Sequence, residues 1–148
     1  MVRTLDARTS LGSDGNTPLN IHLITELPTL VGILGLNIVN PGPVIRTQFN
    51  GTYRISVDNI FSLPSSIQVN IFRGPTNAGA PIYTFSQPIY PEQGSVLVSF
   101  EGSDYNVPPP STGQLTYSCY LTFFQSSPSQ EATRLGPECF NAVAYSDD

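Results

Sequence analysis

The sequence contains no lysine and no tryptophan, a single histidine and two cysteines, and only 11% of its 148 residues are charged. Each shortage excludes something. Without lysine there is no Schiff-base chemistry and no Lys–Asn isopeptide crosslink. One histidine and two cysteines cannot build a His-rich or four-cysteine metal centre within one chain. All six basic residues are arginines, and against 11 acids they leave a formal charge of -5. That balance disfavours a nucleic-acid partner, whose binding rests on clustered Lys and Arg. No apolar run approaches the roughly 18 to 20 residues that span a bilayer. The opening residues, Met1 to Asn16, lack the apolar stretch of a secretory signal.

What is present suits a single globular domain. Hydrophobic residues make up 39% of the chain, with 7 Tyr and 8 Phe, too many for a disordered segment. The 12 Gly and 14 Pro divide it into short runs with a period of two. Residues 1–18 are polar and carry Gly12, Gly15 and Pro18, the composition of a flexible arm. Leu19, Ile21, Leu23, Thr25 and Leu27 then alternate with Asn20, His22, Ile24 and Glu26 as a half-buried strand does. Leu30 to Val39 is the most apolar stretch, broken by Gly32 and Gly35, and reads as a bent strand or two short ones, buried on both faces. Val44 to Phe49 forms a short strand, and Asn50-Gly51 is the strongest two-residue hairpin signal. The alternation returns at Tyr53, Ile55 and Val57, at Ile67, Val69 and Ile71, at Ile82 to Gln87, and at Val96, Val98 and Phe100. Leu115, Tyr117, Cys119, Leu121 and Phe123 line the longest strand. Residues 125–148 read as a polar C-terminal tail whose last segment, Glu138 to Tyr145, is apolar enough to dock.

Seven or eight strands spaced roughly 10 to 15 residues apart, with no helical segment, predict an all-β protein. The expected fold is a single jelly roll or β-sandwich of about eight antiparallel strands over 19–124, flanked by the arm and the tail.

Candidate chemistry is thin, and no catalytic, cofactor or metal site is expected. His22 lies on a polar strand face with no serine elbow to partner it, so a solvated strand histidine accounts for it. Glu101 and Asp104 follow a strand in the run EGSD and, with Asp58, have the groups to gather calcium or flank a glycosidic bond. Carboxylates in turns more often solvate the turn. Gly74 to Gly79 has neither the spacing nor the lysine of a phosphate loop. Asn50-Gly51-Thr52 is formally a glycosylation sequon, but the hairpin turn explains the same residues. Cys119 and Cys139 allow one disulfide, within or between chains, or two free thiols. Phe72, Tyr83, Phe85, Tyr120 and Phe124 alternate with the inward rows and so mark a subunit interface, unless they belong to a sandwich's other inner face. The polar arm suits strand addition to a neighbouring sheet edge.

Four stretches also carry a family likeness: Gly51–Val57 (GTYRISV), Ser66–Phe72 (SIQVNIF), Glu92–Phe100 (EQGSVLVSF) and Thr116–Phe124 (TYSCYLTFF). Together they resemble the jelly-roll subunits of bacterial endospore appendages (Ena-type pilins). They are also similar to the C1q/TNF-like heads and anchors of the Bacillus exosporium. The Cys119 strand looks like the appendage subunits' last strand, which carries a cysteine at its middle. The resemblance implies a non-enzymatic structural subunit on the spore surface or in an extracellular fibre. Its partners would be further copies of itself and a spore-surface anchor or tip protein. The family's arms often carry cysteines, and residues 1–18 here have none; the extension bearing Cys139 is a second departure. Two other functions fit the same residues: a closed trimeric C1q/TNF-like binding head, and a carbohydrate-binding sandwich domain.

Overall fold

The computed structural model describes residues 1–15, 18–58, 64–90 and 93–147. Among them it contains nine strands and no helix: β1 (Val2–Ser13), β2 (Ile21–Leu23), β3 (Thr29–Asn37), β4 (Val44–Asp58), β5 (Ser65–Arg73), β6 (Tyr83–Ile89), β7 (Ser95–Tyr105), β8 (Gln114–Phe124) and β9 (Glu131–Asp147). Pairing is antiparallel and nested: β5 with β6, β4 with β7, β3 with β8, and β1 and β2 with β9. The chain is thus one long hairpin, folded over so that β4 also pairs with β9 and β5 with β8. The result is two facing sheets. Sheet A runs β1-β9-β4-β7, with β2 beside β9; sheet B runs β3-β8-β5-β6. This is the jelly roll expected from the sequence.

Alternation fills the space between the sheets. Phe49, Tyr53, Ile55 and Val57 of β4 and Val96, Val98 and Phe100 of β7 point inward from sheet A. Ile67, Val69 and Ile71 of β5 and Leu115, Tyr117, Cys119, Leu121 and Phe123 of β8 meet them from sheet B. Fully burying each large apolar side chain contributes about 1.5–3 kcal/mol.

Several boundaries differ from the sequence reading. Residues 1–18 do not form a free arm: Val2–Ser13 is the edge strand of sheet A, paired with β9 of the same chain. Its side chains are mostly exposed, so its composition hides a strand held by backbone bonds. Residues 125–148 are not a tail either, because β9 lies inside sheet A between β1 and β4. Its inward row is Ala132, Arg134, Gly136, Glu138, Phe140, Ala142, Ala144 and Ser146. The period is two, but small and charged residues conceal it.

Asn50-Gly51 makes no hairpin and lies mid-strand in β4. A Cβ at Gly51 would sit 2.6 Å from the Phe100 ring, so glycine answers a close approach rather than a turn. Likewise Glu101–Asp104 continue β7. β3 is an edge strand, with Leu30 and Ile33 each 44% exposed, not one buried on both faces. The strand expected over Leu19–Leu27 shrinks to β2, bounded by positive φ at Asn20 and Glu26.

Candidate functional site

Two outer faces and two interior networks are the places where this fold presents chemistry. The first network sits at one end of the sandwich. The Arg73 guanidinium grips Asp104 through Nε–H to Oδ2 at 3.0 Å and Nη2–H to Oδ1 at 2.8 Å. Tyr117 donates its hydroxyl to Asp104 Oδ2 at 2.8 Å, and the Thr47 hydroxyl lies 3.1 Å from the same phenol oxygen. Residues from β4, β5, β7 and β8 are thereby tied across both sheets. Burial is the main force pushing the Tyr117 phenol upward, and the Asp104 charge adds to it.

In the second network Arg134 and Glu138 form a buried ion pair, with Nε–H to Oε2 at 3.1 Å and a closer Nη2 contact to Oε1. In a regular strand, residues four apart on one face stand about 13 Å from each other. Here the β4·β9 register slips between Tyr53 and Ile55, and Gly136 adopts a φ of 74°. This bulge in β9 folds the two charges together. Nearby, the buried Tyr53 hydroxyl lies beside the Cys119 thiol but forms no well-aligned hydrogen bond among the described residues. Burial pushes the Cys119 thiol up to about 12; the Tyr53 hydroxyl opposes this and the Glu138 charge reinforces it.

The outer face of sheet B is apolar along its β3 border. Leu30 pairs with Tyr120 and Ile33 with Ser118, all on that face. The preceding segment runs beside the end of β8, with the Glu26 N–H bonded to the Phe123 carbonyl at 2.7 Å. It leaves Ile24 and Leu27 exposed, and Phe124 on β8 is 37% exposed.

The outer face of sheet A is polar and hollowed along β4 and β7. A depression of about 380 Å³ is lined by Arg46, Gln48, Ser103, Tyr105 and Tyr145, with Val2 and Asp104. It shares Gln48 and Ser103 with a second of about 350 Å³ that adds Asn50 and Glu101. Those two residues lead into a third of about 410 Å³ at Thr52 and Ser99. Inward-facing Gly51 and Gly102 lie beneath: a Cβ at Gly102 would stand 2.6 Å from Phe49 and 2.8 Å from Tyr83. With no Cβ to hold them off, both backbones rest on the aromatic rings, and the outer surface dips over them.

No family model matches the chain, and no curated protein matches it significantly by sequence. Among solved structures it is similar to a protein of infectious bursal disease virus strain Gx, with TM-score 0.47, 9% identity, and 98% of this chain covered. The chain spans 36% of the length of that viral protein. Eiger TNF from S. frugiperda gives TM-score 0.44 and 10% identity over 95% of this chain and 92% of its own. A protein of Broad Bean Stain Virus gives 0.38 and 8%, over 100% and 86%. The jelly-roll assignment rests on the strand pairing described above.

The residues singled out from sequence scatter. Phe72 and Tyr120 do lie on the outer face of sheet B but pack edge-to-face, ring centroids 5.6 Å apart, and are buried within the chain. Ser118, opposite Phe72, donates to the Thr76 carbonyl at 3.4 Å, so the loop after β5 lies over this part of the face. Tyr83 and Phe85 point inward and pack on the core, Tyr83 against Phe49 at 5.4 Å. The inward row of β6 is Tyr83, Phe85, Gln87 and Ile89, one residue out of step with an alternation counted from Ile82. Of the five aromatics only Phe124 is exposed.

Cys119 and Cys139 are free thiols. Cys119 faces the core from sheet B, and Cys139 falls between inward Glu138 and Phe140 on sheet A, so it points away and no disulfide joins them. Asp104 is committed to Arg73, and Asp58 and Asp104 lie toward opposite ends of the β4·β7 ladder, so the three acids do not converge. Among the described residues no group of three His, Cys, Asp or Glu is placed to hold a metal ion. His22 is exposed, its Nδ1 3.4 Å from the Thr133 hydroxyl. Sequence reasoning missed the sheet A groove, because its residues come from two strands whose register no local pattern announces.

Proposed function

We propose that this chain is a self-associating structural subunit of an extracellular fibre or spore-surface layer. The observation that carries the reading is the exposed apolar cluster of Ile24, Leu27, Leu30, Ile33 and Phe124 on and beside the outer face of sheet B. Single exposed apolar residues are ordinary, but a group gathered along one edge and face is what subunit contacts bury. Strand addition is the second contact. The edge strands are β1, β3, β6 and β7, each with one strand neighbour among the described residues; β1 and β3 lie against each other across the sandwich, so strand addition falls to β6 and β7. Such an edge accepts a strand from a neighbouring copy. A face-to-face contact between like surfaces closes as a dimer, whereas a head-to-tail contact makes a ring if its rotation closes and a filament if it does not. Fibres therefore need a non-closing contact at the edges, and a closed trimeric head needs a three-fold one that buries the apolar face.

Light scattering coupled to gel filtration, with negative-stain microscopy of the unreduced protein, tests this reading. We expect regular filaments or sheets from the native chain, and 16.0 kDa monomers from the double variant Leu30→Asp, Ile33→Asp. A uniform particle of three chains would instead support the trimeric head. A native protein that stays monomeric at high concentration would end both readings.

A further inference from the structure

We infer that the groove on the outer face of sheet A is a binding site for an extended, uncharged glycan chain. It lies on the sheet opposite the apolar cluster and does not depend on self-association. Its floor follows β4 from Arg46 to Thr52, and seven residues of strand give roughly 20 Å, room for several sugar rings in a row. At one end the register sets Tyr105, Arg46 and Tyr145 side by side across three strands. Tyr105 is 69% exposed, an aromatic surface of the kind on which the apolar face of a sugar ring stacks.

Along the floor stand side chains suited to hydroxyl groups. Gln48, Glu101 and Ser103 are exposed and make no side-chain hydrogen bond among the described residues. Asn50 is held in place, its Oδ1 accepting from Asn141 Nδ2 at 2.9 Å, which leaves its own amide N–H groups directed elsewhere. Amides and hydroxyls that both donate and accept match a ligand whose hydroxyls do the same.

Charge narrows the class. Arg46, the cation among the lining residues, is paired with Asp147 at 2.8 Å, and Glu101 is the acid left exposed on the floor. With a net charge of -5 on the chain, a sulfated or carboxylated polymer meets no compensating cation. A peptide is served no better. Extended peptides bind through main-chain bonds to a sheet edge, and β4 is paired on both sides.

Affinity gel electrophoresis of the intact chain through xylan, mixed-linkage β-glucan and galactomannan, with alginate as the anionic comparison, tests the assignment. Retardation is expected in at least one neutral polysaccharide and should persist at about 0.5 M salt. Tyr105→Ala and Gln48→Ala change exposed side chains, and their unchanged thermal midpoints would show that the fold is intact. Each should weaken retention about tenfold or more, whereas Leu30→Asp on sheet B should leave it as in the native chain. No retardation by any neutral polysaccharide overturns the proposal. So does salt-sensitive retention by alginate alone, or retention that both groove variants leave unchanged.

Discussion

Two tyrosines fill the same core and satisfy opposite rules. Tyr117 donates to Asp104 and sits within reach of Thr47, so its hydroxyl is part of a closed network. Tyr53 is equally buried, but its hydroxyl forms no well-aligned hydrogen bond among the described residues and has the Cys119 thiol, a weak acceptor, as its polar neighbour. A buried polar group costs free energy when unmet and stabilises modestly when bonded. Tyr53→Phe should therefore be neutral or raise stability by up to about 1 kcal/mol. Tyr117→Phe should lower it by about 1–2 kcal/mol, because it also strips a donor from a buried carboxylate. Urea unfolding of the two variants at neutral pH measures both. If Tyr53→Phe proves the more damaging, the Tyr53 hydroxyl has a bond that the geometry does not show. The same scale explains why Asp104 misleads in the sequence. A carboxylate beside glycine and serine looks like a solvated turn, and only the register of β7 against β4 and the nearness of Arg73 reveal its burial.

At the level of single elements, β1 is a long strand with little core to hold it. Leu5 is its main core contact, and a bulge between Thr4 and Asp6 turns the Asp6 carboxylate toward the neighbouring sheet. There Asp6 Oδ2 accepts the Asn37 N–H of β3 at 2.8 Å and the Arg8 Nε–H at 2.9 Å. The Asn37 bond is the largest influence holding the Asp6 pKa below its ordinary 3.8. The sign follows from linkage: the contribution is complete above 3.8 and is lost as pH falls through the lower folded-state value. The Asn37 amide resonance should thus titrate with a midpoint below 3.8. Asp6→Asn should speed hydrogen exchange across Val2–Ser13 while leaving the β4·β7 ladder protected. An Asn37 midpoint at or above the ordinary value would remove Asp6 as the clip. Legibility also varied by element. β8 declares itself because Leu115, Tyr117, Leu121 and Phe123 recur at every second position. β9 repeats as strictly, but with Ala, Gly, Arg, Glu and Ser in most inward places, where sheet B supplies the bulk. The groove shares that difficulty, since Gln48, Asn50 and Glu101 acquire meaning only when β4 and β7 are set side by side.

Over the whole molecule, nesting makes the two ends of the chain unequal even though they lie together in sheet A. β1 pairs with β9 alone, so removing it uncovers one edge and little core. Removing β9 takes the shared neighbour of β1, β2 and β4 and empties the places of Phe140, Ala142 and Ala144. Losing a buried Phe side chain alone costs about 3–5 kcal/mol, against a total stability of about 5–15 kcal/mol for a domain. Deletion of residues 1–13 should therefore leave a cooperative, less stable β fold. Deletion of 125–148 should leave none, with β4 unpaired on one side and the remaining strands prone to aggregate. Circular dichroism melts of both truncations decide between this view and an independent 19–124 core. A sharp transition in the C-terminal truncation would mean that β9 merely covers a sandwich able to close without it. Its absence there, with a transition preserved in the N-terminal truncation, would place the last strand at the centre of the fold and leave β1 as a dispensable edge.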